Sequence, residues 1–123
     1  MAGVEDPKEE IDLAEVDDVF AFKELQHLEA LGLGTAGELA DMVTEGALDP
    51  DGDLPVNVSG GSQGQGNLFE ANGLARLLEC VEQLRGEAGE RQVDEAYVAL
   101  AQSWRGVPTT SAAVIVLGNE EAT

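Results

Sequence analysis

Residues 59–66 read Ser-Gly-Gly-Ser-Gln-Gly-Gln-Gly, four glycines in eight positions, and they join a short apolar run to a strong helical pattern. In such a link glycines let the backbone come close to a ligand, and the helix N-terminus beyond it favours an anion or a developing oxyanion. Gly60, Gly61, Ser62 and Gly66 are therefore the candidate substrate-binding positions, against the plainer reading of a Gly-rich turn with no ligand. The segment is not a nucleotide loop, because no Gly-Lys-Ser/Thr follows. Gly61, Gly64 and Gly66 also lack the G-x-G-x-x-G order of a dinucleotide site. Other chemically capable side chains are sparse. His27, the single histidine, sits in a helical pattern with no motif around it and reads as a partly exposed helix residue. Cys80, between Leu77 and Leu84 at the margin of an apolar stripe, reads as a buried thiol and not as a nucleophile. One cysteine also excludes an intrachain disulfide framework and a cysteine-cluster metal site. The pair Asp17-Asp18 at a strand end could hold a cation, but helix capping accounts for Asp18 without one. No Ser-His-Asp or Cys-His set can be assembled unless it uses His27. Neither a metal nor a cofactor is expected.

The elements that would position these residues follow from periodicity. Residues 1–10 are polar, contain Pro7 and read as a loop or arm. Ile11, Leu13, Ala14 and Val16 suggest a short strand. From Asp18, a fair N-cap, Phe22, Leu25, Leu28 and Leu31 place apolar residues at helical spacing until Gly32 and Gly34. Residues 35–53 read mostly as surface loop, with a short helix over 37–44. Residues 54–58 are a brief strand entered through Pro55. Residues 68–85 are the strongest helix, with Leu74, Leu77, Leu78, Val81 and Leu84 as its apolar stripe. Asn67 is the expected N-cap and Glu70 its capping-box partner. A strand over 96–101, a turn at Gly106-Val107-Pro108 and a strand over 112–117 complete the pattern, the last two as an edge hairpin. The order predicts an α/β fold with a partly parallel sheet and an antiparallel edge.

With 123 residues and 43% hydrophobic composition, the chain has the size and the apolar content of one domain. Residues 11–118 form that expected domain, between the arm at 1–10 and a polar tail at 119–123. Charge is the outlier: six Lys+Arg against 25 Asp+Glu gives −19. Such a surface repels phosphates and anionic lipid, so nucleic-acid and acidic-membrane binding through a basic patch are excluded. The acids are scattered, not gathered in a tail, as on a surface adapted to high salt, where a Debye length of about 3 Å screens self-repulsion. The longest apolar run, 112–117, is too short to span a bilayer, and residues 1–10 lack the regions of a secretory signal. A cytoplasmic location is the expectation.

Residues 54–73, Leu-Pro-Val-Asn-Val-Ser-Gly-Gly-Ser-Gln-Gly-Gln-Gly-Asn-Leu-Phe-Glu-Ala-Asn-Gly, resemble the thiolase family. In that family a proline, strand, Asn and Gly-Gly entry precedes Gly-His-Pro-x-Gly-Ala-x-Gly at a helix start. Glu15-Val16-Asp17-Asp18-Val19-Phe20 is similar to the family's Glu-Val-His-Asp-Cys-Phe strand end, and residues 24–34 to its Glu-x-x-x-Leu-Glu-x-Leu-Gly helix. Residues 84–93 are similar to the Leu-Arg-Gly-x-Ala-Gly-x-Arg-Gln-Val link of the lipid-transfer and archaeal thiolase branch. The resemblance runs from about residue 3 to 118.

It implies Claisen-type acyl transfer between acyl-CoA thioesters, with acyl-CoA as substrate, but only the later part of the C-terminal domain is represented. The nucleophilic Cys belongs to the N-terminal domain. The family's remaining chemical groups fall on changed residues: one His on Asp17, the Gly-His-Pro His on Asn67, and the late Cys- or His-Gly near Trp104-Arg105-Gly106. Asn67 can donate a hydrogen bond to a thioester oxygen but cannot act as a base. An ionised Asp17 would repel an enolate. The domain's first strand, central in the family's sheet, and the helix after it are not represented, which predicts unpaired strand groups and association with a thiolase-like chain or with a second copy. Three readings follow: an accessory or interaction subunit that is catalytically incompetent alone, the small part of a split acyltransferase whose partner brings the Cys, or a non-functional truncated remnant.

Overall fold

The computed structural model describes residues 3–106 and 111–122. Its centre is a three-stranded mixed sheet of order β1-β2-β3, with β1 Leu13–Glu15, β2 Val98–Trp104 and β3 Ala112–Gly118. β1 runs parallel to β2, with Leu13 opposite Ala99, and β3 runs antiparallel to β2, with Ala101 opposite Ile115. This is the expected α/β sheet with its antiparallel edge. The anticipated gap is closed: β1 pairs directly with β2, and Asp12 tightens the junction by accepting from the Tyr97 and Val98 amides at 2.8 and 2.7 Å.

Period-two alternation along β1 separates two cores. Ala14 and Val16 face one side with Leu28, Leu33, Leu39, Leu54 and Leu100. Leu13 faces the other with Cys80, Val93, Ala99 and Ala101. The first core is covered by α2, Ala21–Ala30, and α3, Ala36–Glu45, which follow α1, Pro7–Glu10. Leu28, Leu33 and Leu39 are each at most 1% exposed, and such burial stabilises by about 1.5–3 kcal/mol per side chain. α5, Asn72–Leu84, covers the second core, and the five-residue α4, Gly61–Gln65, lies just before it.

Several expectations change in detail. The N-terminal arm contains α1, started by Pro7 at its first turn and capped by Asp6. The 35–53 region is helical over the whole of α3, because Thr35 and Glu38 form a capping box and Gly46, at φ 79°, ends the helix in the left-handed region. Residues 54–58 form only a single bridge, Val56 to Ala14, because Asn57 turns to φ 52° and its side chain, not its backbone, accepts from Val16 N at 2.8 Å. Asp18 does not cap α2, whose N-cap is Phe20 without a side-chain bond; its carboxylate instead accepts from amides in the first turn of α4. Asn67 does not cap the long helix and no capping box forms with Glu70, because a 3-10 turn at Phe69–Ala71 intervenes and α5 begins at Asn72. Val107 and Pro108 of the expected turn lie outside the described residues.

The largest correction concerns which way α5 faces. Only part of its expected core stripe faces inward: Leu77 and Leu84 pack against the second core, but Leu74 and Leu78 are 70% and 58% exposed, and the most buried side carries Cys80 with Asn72, Arg76, Glu79 and Gln83.

Candidate functional site

An open groove of about 1040 Å³ lies between the end of β1, the turn before α5 and the β2–β3 end of the sheet. Asp17, Asn67 and the Trp104-Arg105-Gly106 segment all line it. The three positions at which the thiolase resemblance would seat chemical groups thus converge on one surface, although they lie far apart in the chain.

Each is held by local chemistry. Asn67 Oδ1 accepts from the Phe69 amide at 2.9 Å and from Asn72 Nδ2 at 2.6 Å, while Asn72 Oδ1 accepts from the Leu68 amide at 2.8 Å. This two-asparagine clasp holds the turn that starts α5. It uses the Asn67 oxygen and leaves its Nδ2 N–H without a partner among the described residues, as a donor on an exposed side chain in the groove wall. The same clasp supports Phe69 at φ 53° and 81% exposure, a backbone state that costs a bulky residue about 1–3 kcal/mol. Phe69, Phe20 and Trp104 make the groove wall aromatic.

Asp17 is 3% exposed, its amide donates to Gln102 Oε1 at 2.8 Å, and its Oδ2 lies 3.4 Å from Arg76 Nη2. Arg76 also reaches Asp18 Oδ1 at 3.7 Å and Ser62 Oγ at 3.0 Å, while its Nε and Nη1 have no partner among the described residues. One cation from α5 therefore faces both carboxylates just beyond β1, offsets one of their two charges and, through Ser62, ties them to α4.

The Gly-rich segment serves this cluster. Asp18 accepts from the Ser62 and Gln63 amides at 2.7 and 3.4 Å, and the Gln63 side chain donates to the Asp18 carbonyl at 3.0 Å. The anion at these amides is the chain's own carboxylate. Gly61, at φ 58°, is required by that approach, since a Cβ there would overlap the Asp18 carboxyl group. Gly60, at φ 95°, is the N-cap of α4, and Gly66, at φ 101°, its C-cap. Gly61, Ser62 and Gly66 line a hollow of about 10 Å³ beside Arg76, room for about one water. The structure does not bring these glycines into the groove with Asn67.

Beneath the cluster, Glu15 is fully buried on the α5 side of the sheet and accepts from Ser59 Oγ at 2.6 Å and Ser59 N at 3.0 Å. Burial pushes its carboxyl up to about 7, against the two Ser59 bonds. Burial, with Glu15 and Glu79 nearby, pushes the Cys80 thiol up to about 12, so it is no nucleophile near neutral pH. His27 is half-buried, with Nδ1 3.4 Å from Gln102 Nε2 and its ring 5.6 Å from that of Trp104. Burial holds it below the usual histidine range, against the opposing pull of Asp17. It does not line the groove. Among the described residues no cluster of three or more His, Cys, Asp or Glu is arranged for a metal ion, and no helix is long and apolar enough to cross a membrane.

Sequence reasoning missed Arg76, Glu15 and Glu79. The available signal was spacing: Asn72, Arg76, Glu79 and Gln83 recur at helical intervals, a polar stripe as regular as the apolar one.

The groove's three corners and the α/β frame define a thiolase-type C-terminal domain. The profile of the thiolase C-terminal domain-like family matches residues 1–119, and the chain belongs to that family. Acetyl-CoA acetyltransferase of Methanothermobacter thermautotrophicus is 41% identical over 103 residues, covering 84% of this chain and 27% of that protein. Human sterol carrier protein 2 is 45% identical over 91 residues, 74% of this chain and 17% of its own length. Among solved structures, a chain described as Ltp2-ChsH2(DUF35) aldolase superposes with a TM-score of 0.77 at 28% identity, covering 91% of this chain and 28% of that one. The chain thus spans about a quarter or less of the length of these relatives.

Proposed function

We propose that this chain is an accessory or interaction subunit of a thiolase-like assembly, able to contribute a wall of an acyl-thioester site and catalytically incompetent alone. The observation that carries this reading is the groove itself. It gathers the three family positions and holds an amide donor at Asn67, an ion-paired carboxylate at Asp17 and a Trp-Arg-Gly segment, with neither a nucleophile nor a base among them. Claisen chemistry on a thioester needs both. What the groove offers instead is the neutral Asn67 N–H for a carbonyl oxygen, aromatic walls for an acyl chain and the Arg105 cation. The outward Leu74 and Leu78 of α5 supply an apolar face for a thiolase-like partner chain.

A second reading, in which this is the small part of a split acyltransferase whose partner brings the nucleophilic Cys, is supported by the 41% identity to the methanogen acetyl-CoA acetyltransferase. Titration with acetyl-CoA in molar KCl, alone and with a thiolase N-terminal-domain chain, tests both. Binding without turnover in both cases supports the accessory reading. Turnover only in the mixture supports the split enzyme. No binding of acetyl-CoA or of the partner chain would remove both. Asn67→Asp keeps the acceptor used by the Phe69 amide and removes the free donor, so it is expected to weaken acetyl-CoA binding about three- to tenfold or more.

A further inference from the structure

The outer edge of β3 carries its own information. Arg105 N donates to Ser111 O at 2.9 Å and Asn119 N to Tyr97 O at 3.0 Å, on the register that sets Ala101 opposite Ile115. Antiparallel pairing alternates, so the odd-numbered residues of β3 bond to β2, while Ala112, Val114, Val116 and Gly118 turn their N–H and C=O outward. β3 is last in the strand order, and among the described residues no strand pairs with that side. Val114 and Ile115, at its middle, are 49% and 43% exposed.

Charge decides what fits there. The chain carries −19, so most of its surface repels a second copy. Residues 106–119 contain no charged residue, with Arg105 at one end and Glu120 and Glu121 at the other. An antiparallel, two-fold approach of two such edges brings the Arg105 end of each copy toward the Glu120-Glu121 end of the other. A parallel approach would bring acid to acid. We propose that two copies of this chain pair through β3 about a two-fold axis at Ile115, forming one sheet that is continuous across both. In this register Val114 of one copy exchanges backbone hydrogen bonds with Val116 of the second, and Ala112 with Gly118. The two Ile115 side chains meet at the axis as a non-hydrogen-bonded pair. The pairing uses backbone groups that are otherwise left open and is self-complementary, as a two-fold interface requires. It is independent of what the groove binds.

The test uses the full chain in molar KCl. Sedimentation is expected to show a dimer that Ile115→Lys converts to a monomer with an unchanged circular dichroism spectrum. Directly opposed Cα atoms in a non-hydrogen-bonded pair are about 4.5 Å apart, within disulfide reach. Ile115→Cys is therefore expected to cross-link two copies on mild oxidation, and Val114→Cys, whose opposite residue is Val116, is not. Cys80, buried, does not compete. A wild-type monomer at high concentration would overturn the proposal. So would a dimer in which Ile115→Cys fails to cross-link, including the case where Ile115→Lys does not fold.

Discussion

Arg76 is the residue on which the end of β1 depends. Its guanidinium and the Asp17 carboxylate are each 4% exposed. A buried pair is weak support for stability as such, but removing one member leaves a buried charge uncompensated. Arg76→Met leaves Asp17 without its ion pair, while Asp18 keeps the Ser62 and Gln63 amides, and is expected to lower stability by about 3–5 kcal/mol, measured by denaturant unfolding in molar KCl. Glu15 behaves in the opposite sense to a surface carboxylate. Its folded-state value is raised, so its contribution is complete below about 4.5 and is lost as pH rises through about 7. The shift corresponds to on the order of 3 kcal/mol. Stability should therefore fall between pH 4.5 and 7 in the wild type, and Glu15→Gln should flatten that slope; an equal slope in both proteins would place the titration elsewhere. At this scale the sequence was only partly legible. Asn67 and Asp17 were identified through motif positions. Arg76 and Glu15 were not, because a charged residue on a helix or short strand reads as solvated unless its partners, distant in sequence, are known.

Among the elements, α4 shows why the Gly-rich run is glycine-rich. The run brings backbone against Asp18, and Gly61 sits at positive φ in contact with that carboxylate. Gly61→Ala adds both strain and overlap and should cost about 1–3 kcal/mol or more, read as a lowered melting midpoint, whereas Gly64→Ala, with open space at its Cβ, should cost far less. The existence of α2, α5 and the hairpin was legible from apolar period and glycine stops. The exact face of α5 was not: Leu77 and Leu84 reach the second core, but Leu74 and Leu78 do not. Its leucine stripe and its polar stripe have equal regularity, and the usual rule buries the leucines. Here Arg76, Glu79 and Gln83 are buried because each finds a partner: Asp17 for Arg76, Arg91 for Glu79 at 3.0 Å and the Val93 amide for Gln83 at 2.8 Å. Likewise the 54–58 strand shrank to a bridge, because its β propensity could not register that Asn57 leaves the extended region at φ 52° and takes the Val16 amide with its side chain.

For the molecule as a whole, net charge sets the conditions under which any of this is observed. With −19 spread over one domain, screening should strengthen the fold, and the unfolding midpoint is expected to rise from low salt to molar KCl; a flat midpoint would rule out a salt-adapted surface. The α/β architecture and its antiparallel edge were readable from element order, but the direct β1–β2 pairing was not, since strand neighbours are set by long-range contact and not by local pattern. The central claim is that a thiolase-type groove survives here without thiolase chemistry. It is tested most directly by incubating the purified chain with acetoacetyl-CoA and CoA in molar KCl and following thioester cleavage. The account predicts no turnover above that of the Asp17→Ala, Asn67→Ala double variant. Cleavage by the isolated wild-type chain clearly above that control would contradict it.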